Sequence, residues 1–150
     1  MKAVVQRVLS AEVEVGDDIV GQIGPGLLVY LGVEKGDTSL DLEWMLGKVT
    51  SLRIFPDQNE KMTFPVSEIA GGVLVVSQFT LCADVSKGNR PSFTPAADPE
   101  YAEMIYKAFI KGIEKVNIPT ASGEFGAMMR VKSLNDGPVT ILLDSKTKVS

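Results

Sequence analysis

SLNDGPVTILLD, residues 133–144, decides how this chain is read. Asn135, Asp136, Gly137 and Pro138 set four chain-bending residues directly against the apolar run VTILLD (139–144). Proline has no N–H to give to a sheet, so the junction reads as a rigid corner between two terminal strands, AMMRVKSL (127–134) and VTILLD.

Outward from that corner, β character recurs at the other end of the chain. KAVVQRVLSAEVEV (2–15) is valine-rich and broken near Ser10, which predicts one long bent strand or two. GDD (16–18) is a turn, IVGQIG (19–24) a strand, and GPGLLVYLGV (24–33) a fully apolar, central one. A helix follows, capped by Asp37 or Thr38, with Leu42, Met45, Leu46 and Val49 as its buried stripe. SLRIF (51–55) predicts a short strand and PDQNEKMTF (56–64) a polar loop. GGVLVVSQFTL (71–81) is a clear strand that enters the long loop CADVSKGNRPSFTPAADPE (82–100). Loops of that length are often functional. A second helix spans about Pro99 to Val116, and IPTASGEFG (118–126) reads as a turn. Strands at both ends with two main helices between them give a mixed, β-rich α/β (or α+β) class in one domain, 1–150.

The bulk numbers exclude several kinds of function. No apolar run approaches the roughly 20 residues that a membrane helix needs; the longest, GLLVYLGV, has eight. The start, MKAVVQRVLS, is interrupted by Gln6 and Arg7, unlike the apolar centre of a secretory signal. A single cysteine, Cys82, cannot form an intrachain disulfide and suits a reducing cytoplasm. The chain has no histidine, which removes Ser–His–Asp and Cys–His chemistry and histidine metal sites. No metal or cofactor is therefore expected. An enzyme with this composition works through backbone groups, hydroxyls, carboxylates, lysine, arginine or the substrate itself. A net charge of −4 argues against broad nucleic-acid binding, DNA included, but leaves room for a small basic patch that grips one end of an RNA.

Three segments carry candidate chemistry. In VSQFTLCAD (76–84), an apolar strand ends among Ser77, Gln78 and Thr80. By alternation Gln78 and Thr80 share one face, Ser77 and Phe79 the other. The segment is either a half-buried strand whose hydroxyls bond neighbouring backbone, or a strand end whose free N–H groups cradle an oxyanion. A nucleophilic Ser77, Thr80 or Cys82 would need a lysine or carboxylate as base. SKGNRPSF (86–93) places Lys87 and Arg90 near Phe93, as a solvated loop or as a phosphate grip with a stacking aromatic. NDGPVT (135–140) is an ordinary turn or a steric gate that discriminates by exclusion.

Taken together, MKAVVQRV (1–8), SQFTL (77–81), KGNRPSF (87–93), FGAMMRV (125–131) and NDGPVT resemble the D-aminoacyl-tRNA deacylase family along essentially the whole chain. SQFTL and NDGPVT match its two signature motifs. The resemblance implies a homodimer of α/β/β-layered subunits, cytoplasmic, with active sites at the subunit interface. It implies hydrolysis of the ester between a D-amino acid, or mischarged glycine, and the terminal adenosine of tRNA. Gly137 and Pro138 would form a cis corner that reaches into the partner's site and rejects L-amino acids, with Asn135 and Thr140 supporting the turn. Backbone N–H groups near Phe79 and Thr80, within the segment Ser77–Thr80, would hold the oxyanion, helped by the adenosine 2′-hydroxyl. Arg7 is open to structural pairing or to support of the corner, and Met129 to pocket lining or to core packing. Lys87 and Arg90 would touch acceptor-end phosphates. The tail SKTKVS (145–150) informs little. The rival readings are a non-catalytic module that binds RNA ends or peptides, and a general esterase using Thr80 or Ser77.

Overall fold

The computed structural model describes residues 1–147. Its first strand, β1 (Lys2–Val15), is continuous. After a turn with Gly16 at φ 59° come β2 (Asp18–Ile23) and β3 (Gly26–Gly32). Helix α1 (Ser39–Ser51) starts at Thr38, whose hydroxyl accepts from the Leu40 amide at 3.2 Å while its own amide donates to Asp41 at 2.9 Å. That is a capping box. Asp37, the other cap expected from sequence, is instead buried and accepts from the Met1 amino group and the Glu34 amide. A two-stranded ribbon follows, β4 (Phe55–Pro56) with β5 (Met62–Phe64). Then come β6 (Gly72–Ser77), α2 (Pro99–Lys115), β7 (Thr120–Ser122) and β8 (Arg130–Asp144).

One six-stranded sheet organises the chain. β1 serves as a shared spine: residues 2–8 pair with β3, residues 11–15 with β2, and its opposite edge pairs with β8. β6 lies parallel between β3 and β7. Strands β3 and β6 are apolar along both faces because both faces are covered. On one face Val29, Val73 and Val75 pack with Met45, Val49 and Phe109 of the helices. On the other, Val8, Val13, Leu28, Leu74 and Val76 form a second core with Met129 and Val131. The sheet curls over that second core until β2 nearly meets β7; a Cβ on Gly21 would lie 2.3 Å from the Ser122 carbonyl oxygen. The result is the mixed, β-rich α/β class with two main helices that the sequence predicts, in keeping with the layering that the resemblance implies.

Several local expectations are corrected. The two terminal strands are one, β8, which runs through the Gly–Pro junction while register shifts opposite Gln6, Val8 and Ser10 absorb the extra residues. Its outer edge is unpaired among the described residues, so a proline there breaks no ladder bond. The SLRIF strand shrinks to Phe55, which pairs through the loop PDQNEKMTF with Phe64. The turn IPTASGEFG contains β7, three residues held against β6. Residues 148–150, the end of SKTKVS, lie outside the described residues.

Candidate functional site

The strand that brings polar groups to the site stops earlier than its sequence suggests. β6 ends at Ser77, and Phe79–Cys82 coil into a 3-10 turn, so strand alternation does not govern Gln78 to Thr80. Gly32 allows this: a Cβ there would sit 2.9 Å from the Gln78 carbonyl oxygen and 3.1 Å from Leu81. The turn has no side-chain cap. Its backbone bonds use the amides of Gln78, Leu81 and Ala83. As at any helical start, the first amides have no intrahelical partners, here those of Phe79 and Thr80.

The hydroxyls of the turn are not armed for attack. Thr80 Oγ1 accepts from the Gln78 side-chain amide, which is no base. Among the described residues neither Ser77 nor Thr80 bonds a lysine or carboxylate. Cys82 is buried, its Sγ donating toward Val33 O at 3.5 Å, and burial followed by the Glu34 charge pushes the thiol up. A protonated thiol is a poor nucleophile.

Ser77 and Phe79 line a cavity of about 470 Å³, closed by Phe93, Ala97, Asp98 and Phe125. Phe93 folds its ring edge-on to Phe79 at 5.1 Å, and Phe125 packs on Tyr106 at 5.7 Å. Tyr106 is buried and donates to Val75 O at 3.2 Å, which ties α2 to the strand leading into the site. Burial raises its phenol, so it stays neutral. The rim cation is Lys35, on the turn between β3 and α1. Sequence reasoning missed Lys35, Asp98 and Phe125 as wall residues: the walls come from four segments far apart in the chain, and nothing local marks these three as meeting there.

The loop 82–98 is pinned at its neck. Asp84 and Ser92 exchange backbone bonds of 2.7 and 2.9 Å, and Asp84 accepts from Ser86 N. The Ser86 hydroxyl, and after it the Ser86 amide, hold the Asp84 carboxyl below its ordinary range. Lys87, Gly88 (φ 71°) and Arg90 stand exposed at the tip and do not line the cavity. Met129 does not line it either; it packs against the second core. Among the described residues no cluster of three acidic or sulfur donors is placed to hold a metal. No helix there is long and apolar enough to cross a membrane.

The Gly137–Pro138 bond is cis and exposed, with Gly137 at φ 118°. Asn135 fixes its base, donating from Nδ2 to Arg7 O at 3.0 Å and to Val139 O at 3.1 Å. Arg7, largely buried, donates to Ile54 O at 2.7 Å and brings Nε within 3.2 Å of Asp136, close enough for an ion pair though not aligned for a hydrogen bond. The two readings of Arg7 are thus one arrangement, since its pairing partner belongs to the corner. Thr140 accepts from Gln6 at 3.2 Å one step along. Arg7→Met is expected to destabilise the fold by about 1–3 kcal/mol, seen as a lower urea midpoint. Most of that comes from the Ile54 carbonyl, because the part-exposed Asp136 regains water. An unchanged midpoint would show that this pairing carries no stability.

Within one chain the corner and the strand end are far apart. The corner lies opposite Arg7, which pairs with Leu27, whereas Ser77 pairs with Leu31, four residues further along β3. That is about 13 Å along the strands, with three strand spacings, about 14 Å, across them.

A family model described as D-Tyr-tRNA(Tyr) deacylase matches residues 4–144. A D-aminoacyl-tRNA deacylase of Opitutus terrae is 54% identical over 149 residues, 99% of each chain. Another, from Geobacter sulfurreducens, is 51% identical over 150 residues, 100% of this chain and 99% of its own. A solved structure named "c-Myc DNA Unwinding Element Binding Protein" superposes with a TM-score of 0.91 at 44% identity, covering 96% of this chain and 98% of that one. A second, named "Structural Analysis of a probable eukaryotic D-amino acid tRNA deacylase", does so with a TM-score of 0.77 at 18% identity, covering 95% and 97%. At that identity the second likeness concerns the fold alone.

Proposed function

Because this chain belongs to the D-Tyr-tRNA(Tyr) deacylase family, we propose that two copies pair so that the Gly137–Pro138 corner of one meets the strand end of the other. The chain is an ester hydrolase of that family, and its substrate is aminoacyl-tRNA. Residues 1–150 act as one domain, in the cytoplasm, on the acceptor end of the tRNA.

The cavity walled by Phe79, Phe93 and Phe125 takes the terminal adenosine, whose base stacks on aromatic rings as single-stranded RNA ends do. The ester carbonyl then lies over the Ser77–Thr80 segment. Water adds to the carbonyl carbon, and the amides of Phe79 and Thr80 stabilise the oxyanion that forms. The 2′-hydroxyl relays the water's proton to the departing 3′-oxygen, releasing free D-amino acid and intact tRNA. An activated ester needs chiefly positioning and charge stabilisation, so no side-chain nucleophile takes part. The corner's backbone fills the space into which an L-side chain would project. Glycine has nothing to exclude and is removed as well. Asn135 and Arg7 hold the corner in place, and Lys87 and Arg90 meet phosphates further from the ester.

The observation that carries this reading is a tight turn beside an aromatic cavity in which, among the described residues, two amides have no partner and no base adjoins the hydroxyls. Matched D-tyrosyl- and L-tyrosyl-tRNA, incubated with substoichiometric enzyme, test it. Rapid loss of the D-ester alone is expected. Loss of both would indicate a general esterase, and loss of neither from folded protein a binding module.

A further inference from the structure

We infer that Lys35 is the residue that grips the last internucleotide phosphate of the acceptor end, the one joining the terminal adenosine to its neighbour. This rests on the adenosine occupying the aromatic cavity. Lys35 lines that cavity while lying on its exposed rim, and it is displayed by a rigid turn. Asp37 N donates to Glu34 O at 3.1 Å, Gly36 supplies φ 86°, and Lys35 N donates to Pro95 O at 2.9 Å, which binds the turn to the opposite wall.

Charge accounting singles out this lysine. Its neighbour Glu34 is occupied by others: Lys146 at 2.8 Å, the Met1 amino group at 3.8 Å and Lys2 at 4.0 Å. Asp37 pairs with the Met1 amino group at 2.8 Å. Asp98, the carboxylate that also lines the cavity, makes no ion pair with Lys35 within 4 Å among the described residues. In a chain of net charge −4, the cavity rim therefore keeps an ammonium without a counter-ion among the described residues. A base stacked between Phe79 and Phe125 leaves its 5′-phosphate at the rim, where an ammonium acts as a point charge for it. Lys87 and Arg90, on the loop tip, are left for phosphates beyond.

Three substrates of increasing length test the assignment: 3′-O-D-tyrosyl-adenosine, which has no phosphate, the corresponding cytidylyl-adenosine ester, which has one, and D-tyrosyl-tRNA. Lys35→Gln is expected to raise KM roughly 5- to 10-fold on the two longer substrates with kcat unchanged, and to lower the slope of log KM against log salt by about 0.7. On the adenosine ester it should change nothing, and Lys35→Arg should restore most of the loss. Lys87→Gln should matter on tRNA alone. Unchanged KM and salt slope in Lys35→Gln would overturn the assignment, as would an equal loss on the adenosine ester, which would place the charge on the ribose or base. Wild-type protein inactive on all three would sink the deacylase reading itself and this inference with it.

Discussion

Gly137→Ala is expected to slow deacylation of D-tyrosyl-tRNA by about 100-fold or more and to reduce the preference for the D- over the L-ester, in a protein that still folds. At φ 118° the backbone sits where L-residues are rarely found. An added Cβ would lie 2.8 Å from Val139 Cγ2, 3.0 Å from Arg7 Nη2 and 3.1 Å from Val139 N. None of these gives way easily. Val139 is in the core, and Arg7 is held by Ile54 O and Asp136. The corner must therefore move outward. A filter made of backbone loses its function when its position shifts, and displacements near 1 Å cost about two orders of magnitude in rate. The measurement is single-turnover hydrolysis of both esters, with circular dichroism as the check on folding. Activity within a few-fold of wild type, in folded protein, would mean that the corner does not gate the site.

The second large effect concerns an amide. Phe79→Pro should be slower than Phe79→Ala by about 10²–10³. Both lose the ring, but only proline loses the N–H. Phe79 is the first residue of its turn and follows a non-helical Gln78 (φ −146°, ψ 78°), and the first helical position is where proline fits helical geometry best. The comparison thus isolates the donor. Thr80→Ala, which keeps its N–H, should be milder than either Phe79→Pro or Gly137→Ala. A Thr80→Ala enzyme that binds substrate, folds and does not turn over would refute the substrate-assisted mechanism. Mixing the Gly137→Ala and Phe79→Pro proteins joins the two predictions. Random re-pairing restores one intact site in half of the dimers, about a quarter of wild-type activity, whereas a site made within one chain would recover none.

How much of this was legible in the sequence follows from the range over which each feature is determined. The apolar runs of β3 and β6, the α1 stripe with its Thr38 cap, and the bend at 135–138 are set by neighbours in the chain, and all appear where the residues place them. β7 did not announce itself, since three residues carry no period and are strand only because β6 supplies the bonds. The continuity of β8 through Pro138 was hidden for a similar reason: a register shift exists only relative to β1. SQFTL looks like strand by composition and turns because Gly32, 45 positions earlier, clears the space. In the site, the signature segments were visible, but Lys35 and Phe125 reach the cavity only through tertiary folding.

The offset between corner and strand end, about 13 Å along the sheet and about 14 Å across it, has a consequence for the protein's life at low abundance. On the two-chain reading, one chain carries a lock and a key that do not meet within it. On this reading, dilution silences the enzyme with every internal bond intact, so activity per chain rises with the number of chains present. Proofreading capacity then depends on expression level more steeply than in proportion, and a cell that halves its supply loses more than half of its protection.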